Sequence, residues 1–326
     1  MDNHLLHTAS QLLLDSQRVL LVSHIRPDGD AVGSLLGLGL ALQAIGKDAQ
    51  MVLADGVPKN FRHLPGSNQV HKSAKGLFDL IVVLDCSDLQ RVGPILDGYP
   101  QPDLNIDHHI TNLNFGRINL VDTQAVSTTE ILTEHFQVLG LPLTRPVAAT
   151  FLTGLITDTL GFRTANMTPK ALRIAANLME AGANLYTLYQ QALFSRSLQA
   201  ARYWGSGLAT IQLEDRMLWA TLTLKDREEA NYPGRDDADL INILTTINGV
   251  DVALIFVEQK NNKVKVSWRA QPGFDVSKIA LQFGGGGHKP AAGAEIEGDI
   301  EEVKTKVLAA TRSVLNGNTI ESILEG

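Results

Sequence analysis

The 326-residue chain, 44% hydrophobic and 19% charged, is ordinary for a globular protein and long enough for two cores. A net charge of −7 argues against a broad basic surface that coats long nucleic acid, although a cleft can still turn locally positive toward a short anionic substrate. Cys86, the single cysteine, excludes an intrachain disulfide and a multi-cysteine zinc knot, and points to a reducing cytoplasm. No secretory leader is read at the start, where Leu5 and Leu6 soon meet His, Gln and Asp, and no apolar run is long enough for a membrane span.

In chain order, residues 5–17 read as an amphipathic helix and Val19 to Ser23 as a buried strand. The strand runs into His24-Ile25-Arg26-Pro27-Asp28-Gly29-Asp30. Pro27 restricts this turn and Gly29 bends it. Paired carboxylates at a strand end are costly to bury without a cation, and strand ends are where open α/β sheets hold ligands. The plainer reading is a polar loop whose Asp caps the next helix. Ala31 to Gly46 is that helix, with glycines at 33, 37 and 39 for close packing. Ala49 to Ala54 is a strand, and Pro58 to Pro65 a loop or short helix. Leu77 to Leu84 is an apolar run typical of a central parallel strand, ending in Asp85-Cys86-Ser87-Asp88. Leu104 to Ile106 is a short strand ending in Asp107-His108-His109. Val126 to Leu139 is a helix capped by Ser127 or Thr128, and Val147 to Ile156 an apolar helix running into Thr157-Asp158-Thr159. Pro169 to Ala181 is a further helix.

Leu185 to Ala201 reads as a helical connector, and from Gly207 the period changes. Leu208 to Leu213 and Met217 to Leu224 make one hairpin, and Val252 to Glu258 and Lys263 to Arg269 another around Asn261-Asn262. Helices are expected at Asp239 to Ile247, Val276 to Phe283 and Ile300 to Leu315. The expected class is α/β: a mostly parallel open sheet with flanking helices over residues 1–187, a connector over 188–201, and a smaller α/β domain over 202–326.

His24, Asp28 and Asp30; Asp85; Asp107, His108 and His109; and Asp158 form separate stretches of candidate ligands, each following an apolar segment. Imidazole with carboxylate suits Mn²⁺ better than Mg²⁺ or Ca²⁺. Asp107 reads equally as a ligand or as the orienter of a histidine, and the adjacent histidines diverge if extended, so both need not bind metal. Any single Asp here could be a helix cap, and His108 a hydrogen-bonded core residue. Cys86 is expected to pack with its side chain away from Asp85, not to act as a nucleophile.

These stretches, with Val22 to Asp30, Val83 to Asp88, Asp107-His108-His109, Gly154 to Thr159 and the distal Gly284-Gly285-Gly286-Gly287-His288, resemble the DHH–DHHA1 phosphoesterase superfamily in order and over almost the whole chain. The size resembles its short bacterial members that cleave nanoRNA and dephosphorylate 3′-phosphoadenosine 5′-phosphate; close relatives hydrolyse cyclic di-AMP or its linear product. The resemblance implies two Mn²⁺ ions, with Mg²⁺ as the alternative. His24, Asp28 and Asp85 would hold one, and Asp30, Asp85, His108 and Asp158 the other. By the same resemblance His109 faces the scissile phosphate and Asp107 fixes a histidine. Arg269, Gly285, Gly286, Gly287 and His288 bind substrate from the second domain, and Asn112 helps to orient phosphate. Short RNA or small nucleotides are the expected substrates, held in a cleft between the domains, with a homodimer expected from the family alone.

Overall fold

The computed structural model describes residues 2–194 and 196–315; the outer ends of the expected domain spans, and Ser195 within the expected connector, lie outside the described residues. The chain folds as two compact units, Met1–Ser195 and Arg196–Gly326.

The first unit contains α1 (Asn3–Asp15), β1 (Arg18–Val22), α2 (Gly29–Ala44), β2 (Asp48–Val52), β3 (Leu80–Leu84), β4 (Leu104–Asp107) and β5 (Ile118–Val121), followed by α3 (Thr128–His135), α4 (Arg145–Asp158), α5 (Pro169–Glu180) and α6 (Leu185–Tyr189). Its sheet runs β2-β1-β3-β4-β5, all pairs parallel. Every residue of β3 is buried, because alternate side chains face different cores. Val82 and Leu84 join the helix-covered core, whereas Ile81 and Val83 pack on the other side with Val92 and Ile95 of the turn segment Leu89–Leu96. The glycines of α2 serve two surfaces. A Cβ on Gly33 would stand 2.6 Å from the Thr150 carbonyl oxygen of α4, whereas one on Gly39 would stand 2.4 Å from Met51 of β2. Bare backbone thus lets α2 lie against both the sheet and α4.

Several expected elements are corrected. The strand expected from Leu77 starts at Leu80, and Leu77 is 82% exposed. The helix expected over 126–139 is the shorter α3, since Ser127 caps it by accepting from the Glu130 N–H at 3.0 Å. Asp158 lies in the last turn of α4 rather than after it. The edge strand β5 was not foreseen.

The second unit contains α7 (Leu198–Ala209), β6 (Gln212–Glu214), β7 (Met217–Leu222), α8 (Leu224–Glu229), α9 (Leu240–Leu244), β8 (Val252–Gln259), β9 (Lys263–Ala270), α10 (Ser277–Gln282), β10 (Gly286–His288), β11 (Ala291–Glu297) and α11 (Ile300–Leu315). The sheet order is β10-β11-β9-β8-β7-β6, antiparallel throughout except for the parallel pair β7–β8. The β8–β9 hairpin turns through Asn261 and Asn262, both at positive φ, which asparagine tolerates. Val264, Val266 and Trp268 of β9 face a core that includes Ile279 of α10 and Val307 of α11. Trp268 is fully buried and donates its indole N–H to Thr311 Oγ1 at 3.2 Å. Of the strand expected at Leu208 to Leu213, Leu208 and Ala209 are the end of α7, and only Gln212–Glu214 pairs with β7. The glycine run is no free turn, since Gly286 to His288 pair with β11. No described helix is long and apolar enough to cross a membrane.

Candidate active site

In the first sheet β2 lies on one side of β1 and β3 on the other. The strand order therefore reverses at β1, and in such sheets a crevice opens at the carboxyl ends of the two strands flanking the reversal. The loop after β1 carries His24 and Asp28; the loop after β3 begins at Asp85. Asp85 has φ of 52°, a left-handed conformation that is uncommon for a residue with a Cβ and marks a constrained backbone at the end of the central strand.

The His24 ring donates through Nδ1 to the Ile25 carbonyl at 2.8 Å, which leaves Nε2 as the atom available to a cation. Nε2 stands 3.6 Å from Asp85 Oδ2 and 3.9 Å from Asp28 Oδ2. Asp28 also caps α2: its Oδ1 accepts from the Asp30 and Ala31 N–H groups, both at 3.0 Å. Helix cap and ligand are thus compatible, one carboxylate oxygen for each. His108 Nε2 lies 3.6 Å from Asp85 Oδ1 and 3.4 Å from Asp158 Oδ2. Asp107 Oδ1 accepts from His109 Nδ1 at 2.7 Å and from the His108 N–H at 2.9 Å, while its Oδ2 accepts from the Asn112 amide. The Asn112 amide also donates to Asn105 Oδ1 at 2.8 Å, so that group is engaged in holding Asp107.

Nitrogen and carboxylate oxygen atoms that could hold a metal ion lie within 4.8 Å of one another in the sets His24–Asp28–Asp85, Asp30–His108–Asp158 and Asp85–His108–His109. Separations of 3.4 to 3.9 Å between imidazole nitrogen and carboxylate oxygen are long for hydrogen bonds. They fall between the cis and trans spacings, about 3 and 4 Å, of ligands on octahedral bonds of about 2.1 Å. This donor set fits borderline divalent cations.

Charge supports the same fit. Burial and the neighbouring Asp85 carboxylate push the Asp30 carboxyl up to about 7. Burial and Asp30 raise Asp158 well above the usual range. Burial alone would lower His108, but the carboxylates of Asp85, Asp30 and Asp158 outweigh it and push the imidazole up to about 9. Burial would likewise raise Asp85, yet the facing His24 and the charges of His108 and His109 hold it well below the usual carboxylate range. The cluster is therefore rich in buried negative charge, which protons partly neutralise where cations would otherwise do so. Cys86 is buried, its thiol pushed up to about 12 by desolvation, and it donates to the Asp88 carbonyl at 3.1 Å. It is a packed side chain, as its place in the sequence suggested.

In the second unit, His288, Ala291 and Arg269 are directly opposite one another on β10, β11 and β9 and so share a face. Gly286, Gly293 and Ser267 form the next row on that face. The Arg269 guanidinium is half-buried and donates to the Trp268 carbonyl at 2.9 Å. The glycines divide by role. A Cβ on Gly285 would stand 2.2 Å from the Gly293 carbonyl oxygen, and Gly287 has φ of 142°. Gly286 has open space around it.

Thr128 and Thr129 contact the cluster directly, and sequence reasoning took that stretch only for a helix start. Its signal was a run of small hydroxyl residues, Ser127-Thr128-Thr129, all of them fully buried.

The DHHA1 domain matches residues 218–317, and the DHH family N-terminal domain matches residues 18–155. The bifunctional oligoribonuclease and PAP phosphatase NrnA of Thermus thermophilus is 37% identical over 303 residues, covering 91% of this chain and 90% of its own. The chain belongs to the DHH–DHHA1 phosphoesterases. Such an enzyme is a hydrolase. This DHH–DHHA1 chain superposes on an exopolyphosphatase-related protein from Bacteroides fragilis with a TM-score of 0.88 at 24% identity, over 97% of this chain and 96% of that one. RecJ of Thermus thermophilus, solved in complex with Mn²⁺, shares the fold with a TM-score of 0.56 at 14% identity, over 96% of this chain and 55% of RecJ.

Proposed function

We propose that this DHH–DHHA1 phosphoesterase hydrolyses short oligoribonucleotides and 3′-phosphoadenosine 5′-phosphate with divalent cations, Mn²⁺ foremost. The observation that carries the proposal is the Asp85 carboxylate, whose oxygens face different groups: Oδ2 toward His24, Oδ1 toward His108. The name of the Thermus relative supports the choice of substrate. His24, Asp28 and Asp85 would hold one cation, and Asp30, Asp85, His108 and Asp158 the other. When bound, such cations lower the pKa of water and offset charge on phosphate oxygens. The chain's own residues do the rest. Asp107 holds Nδ1 of His109, leaving Nε2 as the atom available to the scissile phosphate. His288 and Arg269, sharing one strand face, grip a second phosphate, for which the forked guanidinium is suited. Gly286 admits the ligand close to the backbone.

The test is a comparison of turnover by the Mn²⁺-loaded enzyme on short RNA, 3′-phosphoadenosine 5′-phosphate, linear pApA and cyclic di-AMP. Rapid hydrolysis of the first three with an inert ring is expected. Preferential opening of cyclic di-AMP would replace this reading with that of a cyclic-dinucleotide phosphodiesterase.

A further inference from the structure

The amino end of α3 is threaded between two carboxylates of the cluster. Thr128 Oγ1 donates to Asp85 Oδ1 at 3.0 Å, and the Thr128 N–H donates to Asp30 Oδ2 at 2.6 Å. Thr129 gives Asp30 Oδ1 two more donors, its N–H at 3.1 Å and its hydroxyl at 2.7 Å. Both threonines are fully buried, where a hydroxyl must find a partner. Here the partners are the two carboxylates themselves.

The neighbouring helix is shaped around the same contacts. Gly154 sits inside α4, where glycine costs about 1 kcal/mol relative to alanine. A Cβ there would stand 2.5 Å from Thr129 Cγ2 and 2.7 Å from Asp30 Oδ1. The fold has given up helix propensity at Gly154 to leave room for this pair.

We infer that Thr128 and Thr129 are positioning residues of the metal centre. The Thr128 hydroxyl fixes the rotation of the Asp85 carboxylate, so that each oxygen faces its own group of ligands. The three donors from Thr128 and Thr129 take up most of the roughly four lone-pair sites of Asp30 and leave it able to bind a cation through a single lone pair. Free rotation of Asp85 would turn its shared oxygens away from one of the two sites. The inference rests on the proposed cation sites and says which of this chain's other residues tune them.

The test uses the full-length protein stripped of metal, with Thr128→Val, which keeps the shape and removes the hydroxyl, and Thr128→Ser, which restores it. Mn²⁺ titration calorimetry reads binding directly; steady-state kinetics on a linear dinucleotide reads turnover. Thr128→Val should weaken Mn²⁺ binding and lower kcat by about 10- to 100-fold, the usual cost of losing a partner of a metal ligand, with KM changed less than about twofold. Thr128→Ser should recover both to within about threefold of wild type. If Thr128→Val does not fold, Thr128→Ala against Thr128→Ser reads the same hydroxyl. Wild-type Mn²⁺ affinity and kcat in the folded Val or Ala variant would overturn the inference while leaving the proposed function standing, as would a Ser variant no better than Val or Ala. A wild-type enzyme that binds no Mn²⁺ would overturn both.

Discussion

The two units handle polarity in opposite ways. Among the described residues, all but two of the buried polar side chains lie in the first unit; the exceptions are Asp237 and Thr311. The first unit buries His24, Asp85 and Asp107 at or just after strand ends and Asp30 in the first turn of α2, and supports them with hydroxyls and backbone N–H groups. The second buries apolar residues on both faces of its central strands and leaves Gly286 and His288 exposed on an edge strand. Charge buried at fixed positions suits the making and breaking of bonds, whereas an open strand face suits capture. Damage to the first unit should therefore register in kcat and metal binding, and damage to the second in KM.

The largest effect is expected for Asp85→Asn. Loss of its charge should lower kcat by about a thousandfold or more, since the proposed two-cation arrangement depends on it. Mn²⁺ calorimetry should show the matching loss, with the far-ultraviolet circular dichroism retained. On the other unit, His288→Ala and Arg269→Ala should each raise KM on a dinucleotide by about 10- to 100-fold, the cost of a charge-assisted hydrogen bond, with kcat nearly unchanged. An effect of Arg269→Ala confined to kcat would erase the proposed contrast.

The pH response should separate the units as well. Asp30, near 7, and His108, near 9, both sit above their ordinary values in the metal-free protein. A raised folded-state value means that the folded chain binds the proton more tightly, so these groups contribute stability at low pH. For Asp30 that contribution fades as pH climbs toward 7, and for His108 as it climbs from about 6.5 toward 9. The melting temperature of the metal-free protein should therefore fall between pH 6 and 9. Mn²⁺ must displace the same protons, so its affinity and its stabilising effect should grow over that interval. A metal effect that weakens with rising pH would contradict this.

The smallest contrast lies within the glycine run. Gly285→Ala should destabilise the protein by about 1–3 kcal/mol, because the new methyl meets the β11 backbone. Gly286→Ala should leave stability within about 0.5 kcal/mol and act on KM alone. Thermal melts of the two variants beside dinucleotide kinetics make the comparison.

Much of this was legible in the chain. The apolar run ending at Leu84 announced a central strand, and the histidines and aspartates stood where strands stop. What escaped was long-range. Ile118 to Val121 is too short and too polar at Asn119 to announce an edge strand, and it pairs only because β4 lies beside it. Thr128 and Thr129 looked like helix-start residues because that is their local role; their partners, Asp30 and Asp85, are far away in sequence. No strand was read at Gly286 to His288 because glycine has poor strand propensity, and the pairing with β11 overrides it.

The measurement that bears most directly on the shared role of Asp85 is anomalous diffraction at the manganese edge from crystals grown with Mn²⁺. Two peaks are expected, one about 2.1 Å from each Asp85 carboxylate oxygen, the first also bound by His24 and Asp28 and the second by Asp30, His108 and Asp158. Manganese at neither oxygen, with the Asp85 carboxylate turned away from His24 and His108, would contradict it.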